Sequence, residues 1–293
     1  TYLENEANEV ENLDLLIQGG VPEDCTVLVL TTLYEDITEA EKSMIMDYIN
    51  KGGKILVLQD PDYNNSVPTL TNYQSILDLY GVSVADGVVF ESDSQRMISG
   101  NPNMLVPKLS YSSEVTQYIA SDGKVLFFNT GKLNFKLSEE LETLGVEVED
   151  LATFSDEAFL RTDLSISTFN KTDADASVGG EKAGALITKK INDDTESQMI
   201  IFANSMFALD IPVDITNYSQ YAIAFYNNRD LVMNSIGYLT QRTDTITIRK
   251  DVGSVTYTAT ESENRVIIAI IIALPIIIIL IGIIVWRFRM RKK

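Results

Sequence analysis

One apolar run near the C-terminus constrains this chain more than any other feature. Residues 266–286 (VIIAIIIALPIIIILIGIIVW) are 21 positions without a charge, and 12 of them are Ile. As an α-helix this run would be about 31 Å long, which matches the hydrocarbon core of a bilayer. The sequence therefore predicts one transmembrane helix over residues 265–287, in contact with membrane lipid.

A basic tail after this run predicts the orientation of the chain. Residues 288–293 follow Arg287 and contain four further basic residues. Positive charge accumulates on the cytoplasmic side of membrane proteins, so we expect the tail in the cytoplasm and the globular part outside it. The predicted location is the cell membrane, with a single pass.

The region before Arg265 is strongly acidic. It holds 17 basic and 42 acidic residues, which gives a net charge of −25. Such a surface repels phosphates, so the sequence argues against nucleic acid as a partner. We interpret the acidity as a means of solubility.

The residue inventory excludes several kinds of catalysis. The chain has no His and a single Cys, Cys25, which rules out Ser-His-Asp and Cys-His catalysis within it. It contains neither a G-x-x-x-x-G-K-[ST] phosphate loop nor a G-x-S-x-G nucleophile elbow. Asp173 and Asp175 do not form a calcium loop, because Val178 stands where an EF-hand requires Gly. We therefore predict no enzyme activity, no cofactor and no metal site.

The first 60 residues contain a β-α-β pattern. Residues 26–30 and 54–58 are short apolar runs, typical of strands covered on both faces. Between them, residues 37–50 have helical periodicity and begin with a capping box of Thr38 and Glu41. Such a unit predicts two parallel strands joined by a right-handed crossover.

The alternation of strands and helices continues less regularly and predicts an α/β fold. Residues 124–128 and 199–202 are further buried strands, so we expect a mainly parallel sheet flanked by helices, with a β-rich irregular insertion at about 155–197. The predicted domains are an extracytoplasmic α/β domain (1–250), a stalk (251–264), the transmembrane helix (265–287) and the basic cytoplasmic tail (288–293). Because the chain begins at Thr1 rather than Met, we expect a processed or truncated N-terminus.

Three segments carry a resemblance to a known family. Residues 24–61 (DCTVLVLTTLYEDITEAEKSMIMDYINKGGKILVLQDP) combine a buried strand, a helix ending in YI-x-x-GG, a second buried strand and Asp-Pro. Residues 199–211 (MIIFANSMFALDI) and 227–240 (NNRDLVMNSIGYLT) follow in the same order. Together with the apolar run and the basic tail, this set resembles the GldG-like, gliding motility-associated auxiliary subunits of bacterial ABC transporters. Ala203-Asn204 departs from the family, whose members usually have Gly-Asp there.

The resemblance implies a glutamine-amidotransferase-like α/β fold without catalytic machinery. It also implies a function as a membrane-anchored accessory subunit, whose partners are the permease and ATPase subunits of an ABC transporter. Two alternatives stay open, an envelope structural or adhesion protein and a membrane-tethered hydrolase.

Polar residues at the predicted C-terminal ends of the strands are the candidate ligand-binding residues, because ligands of open parallel sheets bind beyond those ends. They are Thr31, Thr32, Asp60, Asn129, Thr130, Asn204 and Ser205. The alternative is that these side chains form turns and helix caps.

Three residues of the apolar run, Ala273, Pro275 and Gly282, are candidate contacts with a partner helix. Small residues let helices approach closely in lipid, and Pro275 frees a backbone carbonyl for a neighbouring chain. The alternative is that the run serves as an anchor alone.

Overall fold

The computed structural model describes residues 2–6, 8–62, 69–166, 168–214, 217–241, 269, 271, 272 and 275. The chain divides into two units, residues 1–250 and residues 251–293, and the elements named below belong to the first. The α-helices are α1 (Tyr2–Asn5), α2 (Leu15–Gln18), α3 (Glu39–Asn50), α4 (Thr71–Asp78), α5 (Gln117–Asp122), α6 (Ser138–Leu144) and α7 (Asn228–Leu239). Two 3-10 turns, Met206–Ala208 and Ala222–Ala224, lie before α7.

Strands outnumber helices in the described part of the chain. They are β1 (Leu28–Thr31), β2 (Lys54–Leu58), β3 (Val82–Val84), β4 (Val88–Phe90), β5 (Met97–Ile98), β6 (Asn101–Leu105), β7 (Lys108–Leu109), β8 (Phe127–Phe128), β9 (Leu133–Phe135), β10 (Val146–Thr153), β11 (Phe159–Arg161), β12 (Ala176–Ser177), β13 (Lys182–Lys190), β14 (Glu196–Phe202), β15 (Pro212–Asp214) and β16 (Asn217–Tyr221).

A six-stranded mixed sheet forms the centre of the first unit, in the order β1-β2-β14-β13-β10-β7. β1, β2 and β14 are parallel neighbours. β13, β10 and β7 continue the sheet through antiparallel pairs. The smaller sheets, β5-β6-β8, β12-β11-β4, β3-β9 and β15-β16, are antiparallel.

Both faces of the inner strands are buried. On β2, Leu56 and Leu58 belong to one apolar core, and Ile55 and Val57 belong to another. Successive side chains of a strand point to opposite faces, so the sheet lies between the two cores. Residues of α5 and α7 complete the first core, and residues of α3 and α4 complete the second. This double cover explains why short continuous apolar runs predicted β2 and β14.

The predicted β-α-β unit is confirmed. β1 and β2 are parallel neighbours, and α3 connects them. α3 begins with the predicted capping box, in which the Glu41 N–H donates to Thr38 Oγ1 at 3.2 Å and the Thr38 N–H donates to Glu41 Oε2 at 2.8 Å. Its buried side chains, Ile45 and Ile49, pack in the second core.

Thr38→Ala is expected to destabilise the protein by about 1 kcal/mol, because it removes the side-chain acceptor of the capping box. Urea denaturation followed by circular dichroism measures this loss. Thr38→Ser keeps an acceptor and is the control, so it should retain most of the stability. An equal loss in both variants would contradict a capping role for Thr38.

The predicted mainly parallel sheet is wrong. In the described central sheet, parallel pairing stops at β14, and β13 lies at the centre although it falls within the predicted insertion at 155–197. The predicted inner strand at 124–128 contributes β8 to a small antiparallel sheet instead. Apolar runs report how deeply a strand is buried, but they do not report which strand lies beside it. That missing information accounts for the error.

The predicted transmembrane helix is not found in the structure. No helix within the described residues is both long enough and apolar enough to cross a membrane. The segment 265–287 lies outside those residues except for positions 269, 271, 272 and 275, where Pro275 is helical. The other two candidate partner contacts, Ala273 and Gly282, the stalk at 251–264 and the tail at 288–293 also lie outside them.

Candidate functional site

Three of the predicted site residues meet where β1, β2 and β14 end. Thr32 Oγ1 donates to Asp60 Oδ2 at 3.1 Å and accepts the Asp60 N–H at 2.8 Å. The Ser205 N–H donates to Asp60 Oδ1 at 2.6 Å, and the Ser205 hydroxyl donates to Asp60 Oδ2. We call Thr32, Asp60 and Ser205 the Asp60 clasp. The clasp forms here because the carboxyl ends of three parallel strands lie at the same edge of the sheet.

The Asp60 clasp is closed to solvent at its centre. Asp60 is 7% exposed and Ser205 is 4% exposed, whereas Thr32 is half-buried. Buried carboxylates require hydrogen-bond donors, and here both oxygens of Asp60 have them. Asp60 therefore joins the ends of three strands and does not present a free carboxylate to solvent.

Thr130 and Asn204 form a second buried group beside the end of β14. Thr130 Oγ1 donates to the Ala203 carbonyl at 2.9 Å. Asn204 Nδ2 donates to the Phe128 carbonyl at 2.5 Å, and Asn204 Oδ1 accepts the Phe207 N–H at 3.1 Å. Both side chains thus satisfy backbone groups and connect the end of β8 to the end of β14.

The remaining two predicted residues, Thr31 and Asn129, do not join either group. Thr31 is exposed at the end of β1. Asn129 has a φ of 48°, in the left-handed region that Asn tolerates better than most residues, and its Oδ1 accepts a hydrogen bond from Asn103 Nδ2 at 2.7 Å. The structure therefore brings Thr32, Asp60 and Ser205 together and places Thr130 with Asn204, while the ligand cleft itself stays a prediction.

Gln59 is a residue of this edge that the sequence analysis missed. It is 8% exposed, and its Nε2 donates to the Asp60 carbonyl at 2.9 Å. Its Oε1 is buried without a hydrogen-bond partner among the described residues. An unsatisfied buried acceptor costs about 1–3 kcal/mol, so this oxygen is chemically suited to accept a donor from water or a ligand. The sequence signal that could have indicated Gln59 is its position as a polar residue directly after the apolar strand β2.

A cleft of about 670 Å³ lies at the other end of the parallel strands, where β1 and β2 begin. Its walls include Cys25, Tyr48, Lys51, Lys54 and Leu239, and none of the seven predicted ligand residues. Burial raises the pKa of the Cys25 thiol and raises the pKa of Tyr48 to about 12. Reactive cysteines have a lowered pKa, so the raised pKa of the Cys25 thiol does not favour a role as a nucleophile.

Comparison with known proteins does not assign the chain to a family. No family model and no curated protein matches it. Among solved structures, the mmIFT52 N-terminal domain is similar, with a TM-score of 0.49 and 13% identity over 73% of this chain and 77% of that domain. A β-galactosidase from Rahnella sp. R3 has a TM-score of 0.30 and 10% identity over 60% of this chain and 21% of the enzyme. At these values neither likeness carries a family or a function over to this chain.

Proposed function

We propose that this chain is a non-catalytic accessory subunit of an ABC transporter, which acts with separate ATPase and permease chains from the outer side of the membrane. The family resemblance of residues 24–61, 199–211 and 227–240 motivates the proposal. The Asp60 clasp is the observation that carries its non-catalytic part. Asp60, the single ionisable group among the seven predicted ligand residues, is engaged in joining strands.

The hydrolase alternative would need the Ser205–Asp60 contact to be a nucleophile and its base. Three features oppose this assignment. Ser205 is 4% exposed, so its hydroxyl is closed to a substrate. A carboxylate without an intervening His is a poor base for a hydroxyl near neutral pH. The Asp60 oxygens also accept hydrogen bonds from Thr32 and from the Ser205 N–H, so the carboxylate is already engaged in joining the strand ends.

Co-expression of the full chain with the permease and ATPase encoded beside it tests the proposal. We expect the three proteins to copurify in mild detergent as one complex with a fixed molar ratio. The control is co-expression with an unrelated permease and ATPase pair, which should not retain the chain. Elution of the chain alone, while the cognate permease and ATPase stay together, would contradict the proposal.

We also expect no turnover of ester, amide or glutamine substrates by the purified full chain. The reason is that both side chains of the Ser205–Asp60 pair are enclosed and already hydrogen-bonded. Product release measured by chromatography checks this expectation. Turnover that persists in Cys25→Ser but disappears in Asp60→Asn or Ser205→Ala would favour the hydrolase alternative.

A further inference from the structure

The first strand of the central sheet has an outer side to which no other strand in the described part of the chain is paired. β1 lies at one edge of the sheet and pairs with β2 alone among the strands that the structure describes. Val29 is 43% exposed, and Thr31 is also exposed. An edge strand directs part of its backbone N–H and C=O groups away from the sheet, where a further strand can bond to them. The opposite edge strand, β7, has two residues and offers a shorter ladder.

Acidic side chains flank β1 on both sides in the sequence. Glu23 and Asp24 precede the strand and are exposed, and exposed Glu35 follows it. Tyr34, beside Glu35, is 74% exposed and adds apolar surface at the same end. The edge therefore combines a backbone ladder and an exposed apolar side chain with acidic residues at either end, and at the amino end Glu23 lines the cleft together with Lys51 and Lys54.

A second copy of this chain does not suit this edge. Antiparallel pairing of two β1 strands would bring Glu23 and Asp24 of one copy near Glu35 of the other. Like charges in such positions repel each other, and the chain's net charge of −19 adds to the repulsion. A segment with positive charge at both ends would instead be attracted to these acidic residues.

We propose that the outer side of β1 binds an extended segment of another protein, which adds a strand to the sheet and carries Lys or Arg at both ends. The backbone of this segment bonds to the edge of β1, and an apolar side chain of the segment contacts Val29. Its basic ends pair with Glu23 and Asp24 on one side and with Glu35 on the other. The inference goes beyond the proposed function and does not depend on it.

Fluorescence anisotropy with the full chain and a labelled heptapeptide, Lys-Val-Thr-Val-Thr-Val-Lys, tests the proposal. The matched probe has Glu in place of both Lys residues. We expect the Lys-ended peptide to bind at least about tenfold more tightly, because like-charge contacts oppose the Glu-ended one. We also expect its affinity to fall as salt is added. Equal affinity of the two peptides, or no binding of either, would overturn the proposal.

Two lysine substitutions locate the binding site. Val29→Lys places a positive charge on the exposed side of β1 and should weaken binding of the Lys-ended peptide about tenfold. Tyr111→Lys is the matched control, because Tyr111 is 71% exposed next to β7 at the other edge of the sheet. It should change the affinity less than about twofold.

Circular dichroism is used to check that both lysine variants are folded before their binding is compared. A third variant, Glu35→Gln, changes an exposed residue outside β1 and should weaken binding of the Lys-ended peptide about threefold. Equal weakening by Val29→Lys and Tyr111→Lys, with no effect of Glu35→Gln, would overturn the proposal. A dimer of the wild-type chain that Val29→Lys dissociates in analytical ultracentrifugation would also overturn it, in favour of a second copy.

Discussion

Arg161→Met is expected to lower the free energy of unfolding by about 3–5 kcal/mol, which is the usual cost of leaving a buried charge without its partner. The side chains of Arg161 and Asp175 are each 1% exposed. Arg161 Nε and Nη2 donate to the two carboxylate oxygens of Asp175, at 2.9 Å and 2.6 Å. Met retains the apolar stem of Arg161, so the loss reports mainly the missing guanidinium.

The surroundings of the guanidinium explain why this loss should be large. The group lies 5.1 Å from the ring centre of Phe90 and 5.2 Å from that of Phe159, both within the range of a cation–π contact. It also donates to the carbonyls of Thr168 and Asn170. Arg161 thus fixes the connection between β11 and β12 against β4 and β11.

Urea denaturation of Arg161→Met, of Arg161→Lys and of a double variant measures the change in the free energy of unfolding. Arg161→Met with Asp175→Leu removes both charges, so it should be more stable than Arg161→Met alone by at least about 1 kcal/mol. Arg161→Lys keeps a charge but loses the paired hydrogen bonds, and an intermediate loss is expected. Equal stability of Arg161→Met and the wild type would contradict the importance of this pair.

The same pair makes stability sensitive to acid. Hydrogen bonds from Arg161 lower the pKa of Asp175 to about 2, against the opposing effect of burial. Since the folded state favours the carboxylate, its contribution to stability is complete above about pH 4 and declines as the pH falls from about 4 to about 2. Asp175→Asn should flatten this part of the stability profile, measured by urea unfolding at each pH. An identical slope in the variant and the wild type would contradict the assignment to Asp175.

Phe202→Ala is expected to cost about 3–5 kcal/mol, because it leaves a cavity in a close-packed core. Phe202 has no exposed surface, and its ring centre lies 6.0 Å from that of Phe127 and 5.4 Å from that of Phe207. These rings join β14 to β8 and to the 3-10 turn at Met206–Ala208. Thermal denaturation measures the loss.

Phe202→Leu is the control for cavity size and should lose clearly less stability than Phe202→Ala. Exposed Tyr111 provides a control for aromatic removal in general, since Tyr111→Ala should change stability by less than about 0.5 kcal/mol. Similar losses for Phe202→Ala and Tyr111→Ala would contradict the described packing of the first core.

Local patterns predicted those elements whose signals lie within one short segment. The capping box and apolar face of α3 and the continuous apolar run of β2 were sufficient to predict the β-α-β unit. β10 was not predicted, although its first four residues, Val-Glu-Val-Glu, alternate apolar with acidic positions in the pattern of a half-buried strand. The position of β14 beside β2 depends on pairing over a long distance along the chain, since Gln198 lies beside Lys54, and periodicity does not encode such pairing.

The sequence predicted where the candidate site residues lie better than it predicted what their side chains do. Thr32, Asp60 and Ser205 follow strands that turned out to be parallel neighbours, so their meeting at one edge could be inferred. That Asp60 accepts hydrogen bonds from both of the others depends on the packing of three separate loops, and no local pattern reports it. The pairing of Arg161 with Asp175 was not predicted for a similar reason, since 13 residues separate them in the sequence.

The claim that Asp60 serves the fold can be tested most directly by a double-mutant cycle. Urea denaturation would give the free energies of unfolding of the wild type, Asp60→Ala, Ser205→Ala and the double variant. We expect each single variant to lose about 1–3 kcal/mol and the pair to show a coupling of at least about 1 kcal/mol. Replacing a residue that is retained for function at the expense of stability commonly stabilises a protein. A more stable Asp60→Ala, with no coupling to Ser205→Ala, would contradict the structural role and make Asp60 part of a binding or catalytic site.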